Sequence, residues 1–188
     1  MEIDVSENHM QLFKNVPNFD RPIEALYICH DNILARMGAI GELSSVIIER
    51  GRPAFDEQID QWAELFSFVK HTVANHTRDE EEGLFLMMAD AMSEPVRALR
   101  DDHAEAEETE RWLAGQYENF VNNPGEITDE RLLEFAKRAR AFAGFYEEHI
   151  RLENTLLFPA AQETLSEEQL RDLGRLMREH RRITVAVP

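Results

Sequence analysis

The sequence predicts an all-α protein: an antiparallel up-down four-helix bundle with a short fifth helix at the C-terminus. Three observations carry this. Leu, Ala, Glu and Arg dominate, while Pro and Gly are sparse, 7 and 8 in 188 residues, a composition of strong helix formers. Apolar residues recur every three or four positions over four long stretches, the period of an amphipathic helix. Short segments built on Gly, Pro and Asn separate the stretches, which makes consecutive helices antiparallel neighbours.

Taken in order, residues 1–19 are polar and aperiodic and are expected to form an arm. Asp20-Arg-Pro22 reads as a helix start, with Asp20 as cap and proline in the first turn. Ile23, Leu26, Ile33, Met37, Ile40 and Ile47 then mark one long helix that ends near Gly51. A second helix starts near Phe55, carries Ile59, Trp62, Leu65 and Val69, and continues to about Met88, with Gly83 as a local weak point. Ser93-Glu-Pro95 opens a third, with Ser93 as cap and proline in the first turn, and it ends before Asn122-Asn-Pro-Gly125. Thr128 caps a fourth that runs to Pro159. Ser166-Glu-Glu-Gln169 is a capping-box pattern for a short fifth helix ending near Arg181. The division is therefore an arm (1–19), a bundle (20–165), and a C-terminal helix with the tail ITVAVP (166–188). Helices of roughly 28–35 residues at ~1.5 Å per residue are ~40–50 Å rods.

Composition narrows the function. A formal net charge of −17 disfavours nucleic acid and anionic membrane partners, both of which select Lys/Arg surfaces. A single cysteine, Cys29, rules out an internal disulfide framework and a Cys-rich zinc site, and makes a reducing, cytoplasmic setting the expectation. The opening MEIDVSENHM has neither a basic nor an apolar run, so no secretory leader is expected. No apolar stretch approaches the ~20 residues of a membrane span.

The chemistry lies in a repeat. His30, His76 and Glu80 recur as His103, His149 and Glu153, all three shifted along the chain by the same amount. Leu84-Phe85 recurs as Leu157-Phe158 at that same offset. His76/Glu80 and His149/Glu153 are i, i+4 pairs, so each pair shares one helix face a turn apart. His30 and His103 come from the other two helices. An approximate twofold then brings four imidazoles and two carboxylates to one interior point. Without a cation that arrangement is costly, because buried carboxylates lose solvation and repel each other. Mixed imidazole and carboxylate ligation suits iron, manganese or zinc rather than calcium or magnesium. Two glutamates between two histidine pairs suit a bridged pair of ions, with coordination positions left open for water, oxygen or nitric oxide. A ferritin-like site needs Glu-x-x-His on two helices. The residues three before His76, His103 and His149 are Val73, Arg100 and Tyr146, and the zinc-protease HExxH motif is absent.

The segments CHDNILARM (29–37), HTRDEEEGLF (76–85), DDHAEAEE (101–108) and HIRLENTLLFP (149–159) resemble the hemerythrin-like (HHE) domains of bacteria over about residues 20–165. LSEEQLRDLGRLMREHRR (165–182) resembles the terminal helix of bacterial members. The resemblance implies a four-helix bundle around a carboxylate- and oxo/hydroxo-bridged di-iron centre. His30, His76, His103 and His149 become terminal ligands, and Glu80 and Glu153 bridges. The oxygen-carrying members have a second histidine four residues after the first on the third helix; here Glu107 stands there. Glu107 is a third carboxylate ligand, a partner to a ligand, or a solvent-facing member of the run AEAEETE. An anionic oxygen ligand favours ferric iron over reversible oxygen carriage.

The function expected is binding or turnover of a small oxidant: dioxygen, peroxide or nitric oxide. The alternative is an iron or oxygen sensor, or a non-catalytic metal-binding bundle; zinc or manganese would fit the same ligands. Tyr27, one turn before His30, is a candidate to hydrogen-bond a ligand or bound oxygen species, or a core tyrosine with its hydroxyl satisfied. Among Asp79, Glu81 and Glu82, one is expected to orient a ligand imidazole. His180, in the last turn of the fifth helix, is expected to offset the helix dipole.

Overall fold

The computed structural model describes residues 17–182. Four helical rods run up and down, and a fifth helix packs across one end. The first rod is α1 (Pro22–Arg50). The second is α2 (Arg52–Phe68), a π-turn (Val69–Val73), α3 (Ala74–Asp79), a second π-turn (Glu80–Leu84) and α4 (Phe85–Met88). The third is α5 (Ser93–Asn122). The fourth is α6 (Asp129–Leu152), a π-turn (Glu153–Leu157) and α7 (Phe158–Thr164); α8 (Glu167–His180) closes the chain. No strand occurs among the described residues, and none of their helices is long and apolar enough to cross a membrane. The tail 183–188 and most of the N-terminal arm lie outside the described residues.

The turns follow local chemistry. Gly51 alone separates the first two rods; its φ of 66° is a conformation that disfavours side chains, and its N–H closes the end of α1 on the Ile47 carbonyl at 2.7 Å. Thr128 caps α6 through the Arg131 N–H, and both halves of the Ser166/Gln169 capping box are present. Two expected caps are different. Arg21, not Asp20, is the cap of α1, and Asp20 instead reaches Arg178 of α8 at 2.9 Å. Met92 precedes α5, which places Ser93 inside its first turn.

The second rod is continuous, as expected, but two π-turns interrupt its hydrogen-bond ladder. The fourth rod does not stop at Pro159; it continues to Thr164. The π-turn just before Pro159 explains this. Proline supplies no N–H to the ladder, and the carbonyl of Asn154, five positions earlier, accepts the Tyr27 hydroxyl at 3.3 Å instead.

Two apolar clusters fill the bundle. One contains Phe55, Trp62, Phe120 and Phe135, packed edge to face with ring centroids 5.0–6.2 Å apart. The other contains Leu26, Leu84, Phe85, Leu157, Phe158, Leu173 and Met177. Each rod carries a ligand-type residue between its contributions to the two. His30 lies between Leu26 and Ile33, His76 and Glu80 between Val73 and Leu84, His103 between Leu99 and Ala106, and Glu153 between Ile150 and Leu157. The polar set is therefore a layer sealed above and below by hydrocarbon.

Helix α8 breaks the approximate twofold. Leu173 and Leu176 lie so close to Gly83 that a Cβ there would meet them at 2.7 and 3.0 Å. The equivalent position in the second half of the repeat is Leu156, which has no such cover and is 41% exposed.

Candidate metal centre

Six of the seven residues expected to ligate metal are brought together. His30, Glu80 and Glu153 are fully buried, and His76, His103 and His149 are at most 6% exposed. The imidazoles form two pairs with the Nε2 atoms facing each other, 2.9 Å apart for His30 and His76 and 3.1 Å for His103 and His149. The glutamates lie between the pairs. Glu80 stands 3.8 Å from His30, 3.4 Å from His76 and 3.5 Å from His103. Glu153 stands 3.2 Å from His30 and 3.3 Å from His149. One oxygen or nitrogen from each of His30, His76, Glu80 and Glu153 converges closely enough to hold an ion, and the same is true of His103, His149 and Glu153.

Both glutamates open a π-turn, Glu80–Leu84 and Glu153–Leu157, and the two turns are related by the offset of the repeat. A π-turn inserts one residue into a helix and shifts the phase of the side chains that follow. Here the shift places Phe85 and Phe158 against the opposite hairpin's lone histidine. Phe158 stacks on His30 at 4.8 Å and Phe85 on His103 at 5.3 Å, with interplanar angles of 15° and 12°.

The outer ring nitrogens are held from behind. His30 Nδ1 lies 2.7 Å from Asn154 Oδ1, His103 Nδ1 lies 3.1 Å from Glu81 Oε1, and His149 Nδ1 lies 3.2 Å from Asp102 Oδ2. Each oxygen accepts the Nδ1 proton, which turns the Nε2 lone pair inward, the arrangement that metal-binding imidazoles need. His76 Nδ1 has no such partner. Glu81 and Asn154 each directly follow one of the two buried glutamates and so occupy equivalent positions, which extends the repeat to these partners. Asp102 and Asn154 were not expected from the sequence; the repeat offset from Glu81 is the signal that would have found Asn154.

Two expected positions lie outside the cluster. Glu107 is not brought to it: its side chain is 72% exposed and pairs with Arg111 one turn later at 2.8 Å. Its position on the outer face of α5 turns it away from His103's inner nitrogen. Tyr27 spends its hydroxyl on the Asn154 carbonyl and packs edge to face on Phe158, so it supports the residue that holds His30. His180 does more than offset a dipole: it bonds Asp79 at 2.8 Å and Glu82 at 3.1 Å.

The electrostatics mark an unbalanced pocket. All four oxygens of Glu80 and Glu153 are buried without a hydrogen-bond partner. Burial together with Glu153 raises Glu80 to about 8. Burial opposes charge on His30 as well, but Glu153 and Glu80 outweigh it and raise that imidazole to about 10. His149, against the same two glutamates, rises to about 9. Burial lowers His76, with His30 adding to the effect, and burial and His149 lower His103. Despite its burial, Glu153 is held low by the adjacent imidazoles of His149 and His30, 3.3 and 3.2 Å away. Orphaned carboxylate oxygens facing imidazole nitrogens are what a cation would satisfy, so this donor set fits a bound metal.

A search of curated proteins returns no match for the chain. The family model of the hemerythrin HHE cation-binding domain matches residues 21–161, a span that contains all four histidines and both glutamates. The chain belongs to the hemerythrin HHE cation-binding family.

Proposed function

We propose that this chain is a non-haem di-iron protein that binds or turns over a small oxidant: dioxygen, peroxide or nitric oxide. One observation carries the reading. Four unpartnered carboxylate oxygens lie between two pairs of inward-facing Nε2 atoms. His30 and His76 would hold one ion, His103 and His149 the other, with Glu80 and Glu153 spanning both. Such a pair supplies two electrons at one site and open coordination positions for a small oxidant. Zinc would satisfy the same donors but has no redox chemistry to offer an oxidant; manganese would fit the donors and could supply electrons.

The chain's own residues set the conditions. Asn154, Glu81 and Asp102 fix three imidazoles in the tautomer that presents Nε2. Phe158 and Phe85 cover the faces of His30 and His103, and Phe145 lies parallel to His149 at 6.1 Å. These rings exclude water and strengthen the electrostatics inside. With Glu107 on the surface, no seventh donor crowds the pocket. A reducing, cytoplasmic setting suits the lone buried thiol of Cys29, and the acidic surface is poorly matched to nucleic acid or an anionic membrane.

A second reading is a sensor of iron or oxygen, favoured by the contact of α8 with the residue preceding Glu80. Peroxide kinetics separate the two. Turnover predicts rapid loss of hydrogen peroxide by the iron-loaded protein and its abolition in His76→Ala. Iron-loaded protein that leaves peroxide untouched would reject turnover and leave binding or sensing.

A further inference from the structure

The bundle holds a cleft of about 1060 Å³ between the second and third rods. Its walls include Phe66, Ala63, Ala114 and Gly115, and His103 and Tyr146 line it deeper in. It is at the upper end of the volume of sites that bury an organic molecule, and far larger than a diatomic ligand requires. The π-turn Val69–Val73 contributes Lys70, His71 and Val73 to the wall. This is the one π-turn of the three described that has no copy at the offset of the repeat, since 142–146 is regular helix. The repeat accounts for the two π-turns at the glutamates, and the cleft is what the third one shapes.

The lining states a chemistry. Arg78 pairs with Glu82 at 3.0 Å and Arg111 with Glu107 at 2.8 Å, and the remaining Lys70 shares the wall with Glu110 and Glu118, so the lining has no surplus of positive charge to select an anion. Phe66 and Tyr117 present an aromatic wall, their centroids 5.2 Å apart. Several lining polar groups lack partners among the described residues, among them the exposed Lys70 and Glu118, the half-buried Thr77, and Tyr146 and Glu110. The Tyr146 hydroxyl makes no hydrogen bond although the residue is only 6% exposed, and the half-buried Glu110 carboxylate makes neither hydrogen bond nor ion pair. Burial and the nearby Glu107 raise the pKa of Glu110, and a carboxylate without a partner there can accept a hydrogen bond from a hydroxyl.

We propose that this cleft binds a neutral hydroxylated aromatic molecule of the hydroquinone class, the reductant for the oxidant chemistry proposed above. The inference rests on that reading. Its ring would lie on Phe66 and Tyr117, and its hydroxyls would meet Tyr146 and Glu110 beside the outer edge of His103. The balance is complete with peroxide as oxidant: hydroquinone loses two electrons and two protons to become quinone, the O–O bond of hydrogen peroxide breaks, and two waters form.

The test uses metal-loaded protein and 2,3-dimethylhydroquinone, titrated without oxygen in a calorimeter, with Ala114→Trp and Ala63→Trp as variants that fill opposite walls. Saturable binding is expected, weakened at least 10-fold in either variant that keeps the wild-type metal content and helicity. Peroxide consumption is then followed with the hydroquinone or with dithionite as reductant. Faster consumption with hydroquinone, lost in the filled variants while the dithionite rate persists, supports the proposal. Absence of binding, or equal binding by wild type and both variants, overturns it. Consumption with dithionite but not with hydroquinone overturns this inference alone. No consumption with either reductant overturns it together with the turnover reading.

Discussion

Asp79 and His180, 101 positions apart, are joined by a 2.8 Å hydrogen bond, and the link is anchored one residue before Glu80. Asp79 is fully buried and also contacts Arg181 at 2.7 Å. Burial raises its pKa against the opposing pull of Arg181 and His180. Helix α8 is thereby tied to the turn that presents a buried carboxylate. Removing one partner of a buried ion pair leaves the other charges uncompensated, a loss of about 3–5 kcal/mol. Asp79→Ala is therefore expected to lower stability by that order in urea denaturation and to expose the amides of α8 to hydrogen exchange. Unchanged protection in α8 would show that its apolar contacts suffice.

Glu107→Ala is expected to leave metal content and spectrum unchanged. Its carboxylate is exposed and paired with Arg111, and exposed pairs contribute about 0–1 kcal/mol. A variant that loses an ion would place Glu107 in the coordination sphere after all.

Much of this centre was legible in the sequence because a repeat converts weak single signals into a joint one. One histidine on an apolar helix face says little, whereas His30, His76 and Glu80 copied at one offset specify a shared layer of the bundle. The i, i+4 spacing also survived in the structure, since each histidine precedes its π-turn and each glutamate is the first residue of that turn. The π-turns themselves were not legible. They change which carbonyl each N–H reaches without changing the apolar period over the few residues involved, and Gly83 signals only one copy. Pro159 looked like a stop because its missing N–H ends an ordinary ladder; after a π-turn it does not. The Asp20 and Ser93 caps failed for a related reason. Both residues suit a cap chemically, but Asp20 gains an ion pair to Arg178, a partner 158 residues away that local sequence does not reveal.

The oxygen partners of the imidazoles give a graded prediction. Asn154→Ala removes the acceptor at His30 Nδ1. Losses of such supporting groups typically lower metal affinity roughly 10–100-fold, so chelator competition is expected to show a drop of that size with the fold intact. His76 has no such support, so its orientation rests on packing and on the ligand contacts themselves.

Proton release follows from the same electrostatics. In the metal-free protein, burial disfavours charge on His30 and His149, but Glu153 and Glu80 raise these imidazoles to about 10 and 9. Their charged forms stabilise the metal-free fold below the ordinary imidazole pKa of about 6.5, and that contribution is lost as pH rises through 9 and 10. A cation needs the unprotonated Nε2. Glu80, raised to about 8, carries a further proton at pH 7. Loading at that pH should therefore release about three protons per chain, and affinity should rise with pH between about 6 and 9. Calorimetry in buffers of different ionisation heat measures the release directly; pH-independent affinity would show that these imidazoles are already neutral.

Gly83→Leu tests the close approach of α8. The added side chain meets Leu173 and Leu176 where even a Cβ is crowded, and overpacking of this kind costs about 1–3 kcal/mol. The same change at Gly115, where a Cβ meets nothing within 4 Å, is expected to be nearly neutral. Equal melting temperatures for the two variants would mean that α8 yields without cost.

In the proposed centre Glu80 and Glu153 each serve both halves of the pocket. The most direct test is metal content per chain of iron-loaded protein, measured with its oxidised optical spectrum, for wild type and for Glu80→Gln and Glu153→Gln. Two irons in the wild type, with near-ultraviolet charge-transfer bands, and weakened retention of both irons in each variant are the expected results. One ion per chain, or variants that each lose a single ion and keep the other at wild-type affinity, would contradict a bridged pair.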